Sequence, residues 1–426
     1  MTRRSRKAKH AAIAPLLMML LGSPGARAGG LNILEVGSPD VGMASAGRAA
    51  LAEDASTVFG NPAGMARLER NQALMGVQGL FIDSEFDVDP SGTTFGTKDG
   101  DVSDEVFIPA GAYVHTLGKD WRVGAAVGAA FGGALDYPSN WAGRYYVTRV
   151  DLVTVTALGS VSYRINDELS VGATLRVKYA ELEQTAALNN PVLPDGKLKF
   201  EDDDVAVGGV LGVLYEPTER WRFGLRYRSK VEIEFRDRPR LRGVGPALGA
   251  LLAASGLDSA SAKIEMEFPQ DLLLSVHHEF DERLELTMNL GWENWEEFGK
   301  SDITIQSGTS TSFTRDLDYD DTWHLAVGGR YRLDPRWRVS LGFAYDSSPV
   351  GRSDRTPDLP LDRQIRLATG VQYDLSEDVV LGASYVYVDL GDGDIRQTGG
   401  PLTGGLAGDY SPNRIHAVNV NLTWRF

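Results

Sequence analysis

The last nine residues alternate without exception. Val418, Val420, Leu422, Trp424 and Phe426 are apolar, and Asn419, Asn421, Thr423 and Arg425 between them are polar. A period of two marks a strand with one face in an apolar medium and the other in a polar one. The pattern recurs upstream. Trp221, Phe223, Leu225 and Tyr227 alternate with Arg222, Gly224, Arg226 and Arg228. Trp323 to Leu333 and Trp337 to Tyr345 repeat it, with Arg330, Arg332 and Arg338 on the polar side. A soluble sandwich also alternates, but it does not set arginine after arginine on one face with Trp or Tyr at the ends of the other. A lipid-facing outer wall with interfacial aromatics, around a polar lumen, accounts for both.

The pattern predicts an all-β fold, a 14-stranded antiparallel transmembrane β-barrel with an N-terminal plug, or hatch, inside the lumen. Strands are expected near 71–81, 107–117, 120–131, 150–164, 167–182, 202–216, 219–235, 263–280, 283–298, 320–333, 336–347, 361–374, 377–390 and 413–426. Short turns such as Asn166-Asp167 and Asp334-Pro335 alternate with long connections at 82–106, 132–149, 183–201, 236–262, 299–319, 348–360 and 391–412. Short periplasmic turns and long outer loops are the habit of outer-membrane barrels. No apolar run after the first thirty residues is long enough for a spanning helix, which does not bear on a barrel whose alternate residues alone face lipid.

The first residues read as a processing segment. Arg3, Arg4, Arg6, Lys7 and Lys9 precede an apolar run from Ala11 to Leu21, and Ala26-Arg27-Ala28 fits a cleavage site. The expected division is 1–28 signal peptide, 29–70 plug and 71–426 barrel. The mature chain would hold 37 basic and 58 acidic residues, a formal charge of −21, which argues against nucleic acid as a partner. Ala44 to Leu68 is rich in Ala and Gly and contains Asn61-Pro62-Ala63-Gly64. Small residues fit a lumen, and Asn-Pro followed by Gly favours a tight turn. On local sequence alone the stretch reads equally as a surface helix from Ala46 to Thr57.

Catalytic constellations are missing from the sequence, which carries no G-x-S-x-G, H-E-x-x-H or phosphate loop. No enzyme activity, cofactor or metal is expected. His277 and His278 are adjacent, so on a strand they face opposite ways. Arg226, Arg228, Arg330 and Arg332 belong to the inner face, where Arg226 and Arg330 are candidates to meet a ligand carboxylate. Pairing with acids such as Glu53 and Asp54 is the plainer reading. In loop 236–262, Leu251, Leu252 and Leu257 form part of an apolar stretch that reads either as a capture surface or as a lid.

Four stretches stand out: Gly42 to Gly64, with Gly47, Ala50, Asp54, Ala55 and Asn61-Pro62-Ala63; Phe131-Gly132 followed by Trp141-Ala142-Gly143-Arg144-Tyr145; Ser162 to Asn166; and Tyr345 to Val350. On these the chain resembles the FadL family of outer-membrane transporters for long-chain fatty acids and aromatic hydrocarbons. Ala130 stands where many relatives have proline. The resemblance implies a fourteen-strand barrel, a hatch at Asp54, Asn61, Pro62 and Ala63, and an inward kink in the third strand that opens a lateral gate at Phe131, Gly132 and Gly133. It implies passive transport of hydrophobic small molecules or fatty acids by a monomer set among outer-membrane lipid and lipopolysaccharide. The alternative is a structural or secretion-partner barrel of the same fold that binds a protein or lipid at its outer loops.

Overall fold

The computed structural model describes residues 37–129, 132–190, 193–255, 258–307 and 309–426. The expected signal peptide and residues 29–36 lie outside the described residues. Fourteen strands form the wall. They are β1 (Gln72–Val88), β2 (Gly100–Leu117), β3 (Trp121–Gly128), β4 (Arg149–Arg164), β5 (Leu169–Leu188), β6 (Gly196–Thr218) and β7 (Trp221–Arg228). They continue as β8 (Asp271–Glu279), β9 (Leu284–Glu293), β10 (Thr322–Arg332), β11 (Trp337–Asp346), β12 (Gln364–Asp374), β13 (Val379–Asp389) and β14 (Leu406–Arg425). Each pairs antiparallel with the next, and β1 pairs with β14 from Gln72–Arg425 to Val88–Gly408, which closes the barrel. The Phe426 N–H donates to the Asn71 carbonyl, 2.9 Å, so the last residue sits beside the first strand.

The expected faces are the observed ones. On β14, Asn419, Asn421 and Thr423 are buried inside, while Val418, Val420, Leu422 and Trp424 stand exposed on the outer wall. Trp121, Trp221, Trp337 and Trp424 lie next to the short turns, the place for interfacial aromatics.

Several boundaries differ from expectation. β1, β2, β5, β6 and β14 all run further into the expected outer loops, because ladders persist where neither face needs to be apolar. The expected strands 219–235 and 263–280 each break in two. Val231–Asp237 and Ser261–Phe268 leave the wall and join Lys300–Ser307 and Thr309–Asp316 in a separate four-stranded sheet, so the expected loop 299–319 is largely a hairpin. Alternation continues across both breaks, so periodicity alone does not show the change of partner. Pro269 is the local signal at one of them. The expected strand 283–298 ends at Glu293, and Trp295–Phe298 is a helical turn.

The N-terminal segment is not a surface helix over Ala46 to Thr57. It runs through a 3-10 turn at Pro39–Met43, irregular turns, a short helix at Thr57–Gly60 and a second 3-10 turn at Pro62–Arg67. Val41, Met43, Ala44, Ala46, Ala50, Ala63, Met65 and Ala66 are essentially sealed from solvent. The first turn packs against β10 to β13, and the last against β3 to β6, on a different part of the wall.

Candidate functional site

The N-terminal segment is held by side chains that reach across the lumen. Asn61 accepts from the Ala63 N–H, 3.0 Å, and so caps the 3-10 turn that Pro62 opens. Its amide donates to the Ala49 carbonyl, 2.8 Å, and to the Val213 carbonyl of β6, 3.0 Å. From β9, Asn289 donates to the Ser45 carbonyl and accepts from the Gly47 N–H, both at 2.8 Å. Ser275 of β8 accepts from the Ala49 N–H, 3.0 Å. Asp54 accepts from the Ser56 N–H, 2.8 Å, and braces the segment itself. Ser162 of β4 donates to the Ala63 carbonyl, 3.3 Å.

Glycine makes this contact possible. A methyl group on Gly224 would overlap the Ala49 carbonyl, and one on Gly342 would overlap Met43. Pro62 and Ala63 press in the same way on Gly172. Backbone therefore lies on backbone, with no room for a side chain between them.

An ionic clamp lies toward the short turns. Glu53 meets Arg330 at 2.5 Å, and Arg330 also pairs with Glu285 of β9. Arg222 stands 3.6 Å from Glu53 and 3.3 Å from Glu279. His277 faces inward beside Glu53 and Glu285, within 4.8 Å of both, the one such cluster of metal-ligand residue types among the described residues. A cation there would have to displace Arg330 from two carboxylates. His278 points the other way and stacks on Trp221 outside, as adjacency on a strand requires. Between the clamp and the short turns lies an open cavity of about 450 Å³, lined mostly by charged residues. Arg226 pairs with Asp271 at 2.5 Å, and Arg228 pairs with the same carboxylate. Arg226 and Arg330 are thus inward, as expected, and both are engaged by acids.

The wall is interrupted at β3. This strand pairs with β2 only from Leu117–Trp121 to Gly111–Val127. It ends at Gly128, and the chain resumes as Gly132–Asp136, paired with β4 and, among the described residues, with no ladder to β2. From Gly128 to Gly132 the chain takes four steps while β4, from Thr156 to Val153, takes three. Among the described residues β2 from Gly100 to Ala110 has β1 as its one ladder neighbour, and Pro109, which has no N–H to donate, lies in that stretch. Gly132 and Gly133 flank the interruption, Phe131 lies outside the described residues, and Phe59 of the N-terminal segment stands beside Gly128.

Above the N-terminal segment the outer extensions enclose an apolar cluster that includes Phe86, Trp141, Leu182, Phe200, Phe235, Phe268 and Tyr410. Pro246–Ser255 is a helix, with Leu248 and Leu252 buried in this cluster and Leu251 exposed. Leu257 lies outside the described residues. Tyr137 donates to the Pro357 carbonyl, 2.8 Å, and lies 2.6 Å from the Tyr410 hydroxyl. Burial, reinforced by Tyr410 and Asp358, holds the Tyr137 phenol well above its ordinary pKa. At the floor of the cluster Lys178 of β5 lies buried with its Nζ 4.8 Å from the centre of the Phe268 ring, and Arg176 of β5 donates to the Ser229 carbonyl, 3.3 Å. Sequence reasoning did not single out Lys178, Asn289 or Ser275. The inward parity of their strands, once the register is known, is the signal that finds them.

Residues 19–426 match the family described as outer membrane protein transport protein (OMPP1/FadL/TodX). The long-chain fatty acid transport protein of Escherichia coli O6:H1 is 26% identical over 392 residues, covering 84% of this chain and 86% of that one. Outer membrane protein P1 of Haemophilus influenzae is 25% identical over 415 residues, covering 87% and 88%. Among solved structures, a Pseudomonas aeruginosa FadL homologue superposes with a TM-score of 0.82 at 23% identity, covering 95% of this chain and 99% of that one. The Ralstonia pickettii toluene transporter TbuX superposes at 0.65 and 17% identity, covering 91% and 97%. At these identities the superpositions speak for the fold.

Proposed function

Because the chain belongs to the outer membrane protein transport family, OMPP1/FadL/TodX, we propose that it carries hydrophobic solutes, long-chain fatty acids or hydrocarbons, passively across the outer membrane and releases them sideways through its wall. The observation that carries this reading is the interruption at β3. A solute that leaves there passes from the lumen toward lipid without crossing the charged cavity at the short turns.

The outer apolar cluster supplies a place for the solute, since burying apolar area is its main source of affinity. Lys178 and Arg176 at its floor favour a carboxylate head over a bare hydrocarbon. The name of the 26%-identical relative, a long-chain fatty acid transport protein, points the same way. The N-terminal segment acts as the hatch, with Asn61-Pro62 as its fulcrum. A ligand opens it only to the extent that it binds the open state better than the closed one. Gly132 and Gly133 form the lateral gate. The protein works as a monomer among outer-membrane lipid and lipopolysaccharide. The alternative, a structural or secretion-partner barrel, gains no support from the comparisons.

The test is uptake of labelled long-chain acids and aromatic hydrocarbons by a deletion strain, with and without the restored gene. Equal uptake in both would sink the proposal.

A further inference from the structure

The wall has a second discontinuity, between β6 and the chain that follows β7. The two strands form a ladder from Thr218–Trp221 up to Val210–Arg228. Above that point β6 keeps its partner β5 but loses β7. Ser229 makes one last exchange, its N–H to the Gly209 carbonyl and the Gly209 N–H to its Oγ, both at 2.9 Å. Val231–Asp237 then runs alongside β6 as the edge strand of the outer four-stranded sheet. Among the described residues no main-chain ladder joins Val231–Asp237 to β6.

Side chains stand in the place of that ladder. The Glu234 N–H donates to Asp204 Oδ2, 2.8 Å, and the Arg236 N–H to Asp202 Oδ2, 2.5 Å. The Glu201 N–H donates to Asp237 Oδ2, 3.1 Å. A carboxylate between two strands holds them wider apart than the ~4.8 Å of a ladder. Three such bonds are also easier to part than a continuous array of main-chain bonds. On the inner side Val231, Ile233 and Phe235 enter the apolar cluster. On the outer side Val205 and Val207 of β6 are exposed on the wall. An apolar outer surface and an apolar interior are therefore separated here by a seam bridged by aspartates, bounded below by Ser229 and Val231 on Gly208 and above by a short ladder of Arg240–Arg242 with Lys197–Lys199.

We propose that this seam is a second side portal, through which uncharged apolar solutes dissolved in the outer leaflet pass into the apolar cluster. The inference rests on the transport reading above. The carboxylates of Asp202, Asp204 and Asp237 set the selectivity. They repel an acid headgroup, so the seam admits neutral hydrocarbons and fatty acids enter elsewhere, between the outer extensions. Both leave by the interruption at β3.

The chain has no cysteine, which makes the test clean. In the full-length protein, Asp204→Cys with Glu234→Cys places one thiol on each side of the seam, and a short bismaleimide replaces the hydrogen bond by a covalent link. Uptake of radiolabelled hexadecane preloaded into the membrane and of radiolabelled palmitate from the medium is measured before and after linking, with heat-modifiability checked. Linking is expected to lower hexadecane uptake several-fold and leave palmitate uptake unchanged. The converse pair, Asp202→Ala with Asp204→Ala, is expected to raise hexadecane uptake. Unchanged hexadecane uptake after linking overturns the portal, and equal loss of both probes overturns its selectivity. Absence of uptake of either probe by the unsubstituted protein overturns the transport reading itself, a result distinct from the other two.

Discussion

Glu53 of the N-terminal segment and Arg330 of the barrel wall meet at 2.5 Å, and the same guanidinium holds Glu285. One cation thus ties the lumen segment to two strands at once. Removing Glu53 leaves Arg330 to Glu285 alone and Arg222 to Glu279 alone, so the cost is below the roughly 3–5 kcal/mol of a buried charge left with no partner. Glu53→Gln should therefore loosen the segment while the wall stays intact. With Ser56→Cys as reporter, a polar maleimide is expected to label the Gln variant faster than the Glu parent. Equal rates would remove Glu53 from any role in holding the segment.

Asn61→Ala with Pro62→Ala removes a cap, one bond within the segment, one bond to the wall and a fixed φ. The cap alone is worth about 1 kcal/mol. Labelled-acid uptake at matched surface level should fall, with the barrel still heat-modifiable. Asn61→Asp keeps the cap but loses both amide donors, so it should show the uptake defect with less loss of local order. Wild-type uptake from both variants would leave the segment as filling.

Gly132→Val with Gly133→Val favours regular strand where the wall now breaks. Uptake of palmitate should drop to the level of the deletion strain. Normal uptake from this variant, properly assembled, would end the lateral-exit mechanism.

The helix Pro246–Ser255 separates two roles that the sequence left merged. Leu252 is buried and Leu251 exposed. Leu252→Ser should loosen the outer extension by roughly 2–4 kcal/mol, read as faster protease cleavage from outside intact cells. Leu251→Ser should leave protease resistance unchanged and slow uptake only at low ligand concentration. If Leu251→Ser has no effect on uptake, the helix is a lid and not a capture surface.

Gly224→Val should expel the N-terminal segment, because the new side chain would occupy the place of the Ala49 carbonyl. The expected readout is a folded barrel with raised ion conductance in a planar bilayer. Unchanged conductance would show that the lumen tolerates the segment elsewhere.

Much of this was legible in the sequence, for a definite reason. Alternation such as Trp323-His324-Leu325-Ala326 reports which medium each face meets, and a lipid wall imposes that medium along every strand. Strand number, inner and outer faces and the position of the short turns followed. Alternation does not report which neighbour a strand pairs with. Val231–Asp237 keeps the period of β7 while belonging to another sheet, and β3 stops pairing with β2 with little change in composition. The contacts of the N-terminal segment were hidden for a related reason. Asn289 and Ser275 are ordinary inward polar residues until the segment supplies backbone for them to bind.

The closure of the barrel fixes a schedule. β1 obtains its second neighbour only from β14, whose residues are made after every other strand of the wall. Until then no cylinder exists, and the segment from Pro39 to Arg67, translated long before, has nothing to sit in. Its glycine-lined seat is built from β3 to β13, each of them younger than the piece that occupies it. Synthesis order and assembly order therefore run opposite ways. Either the wall curls around a waiting tenant, or the tenant is threaded in from the periplasm once Phe426 has found Asn71.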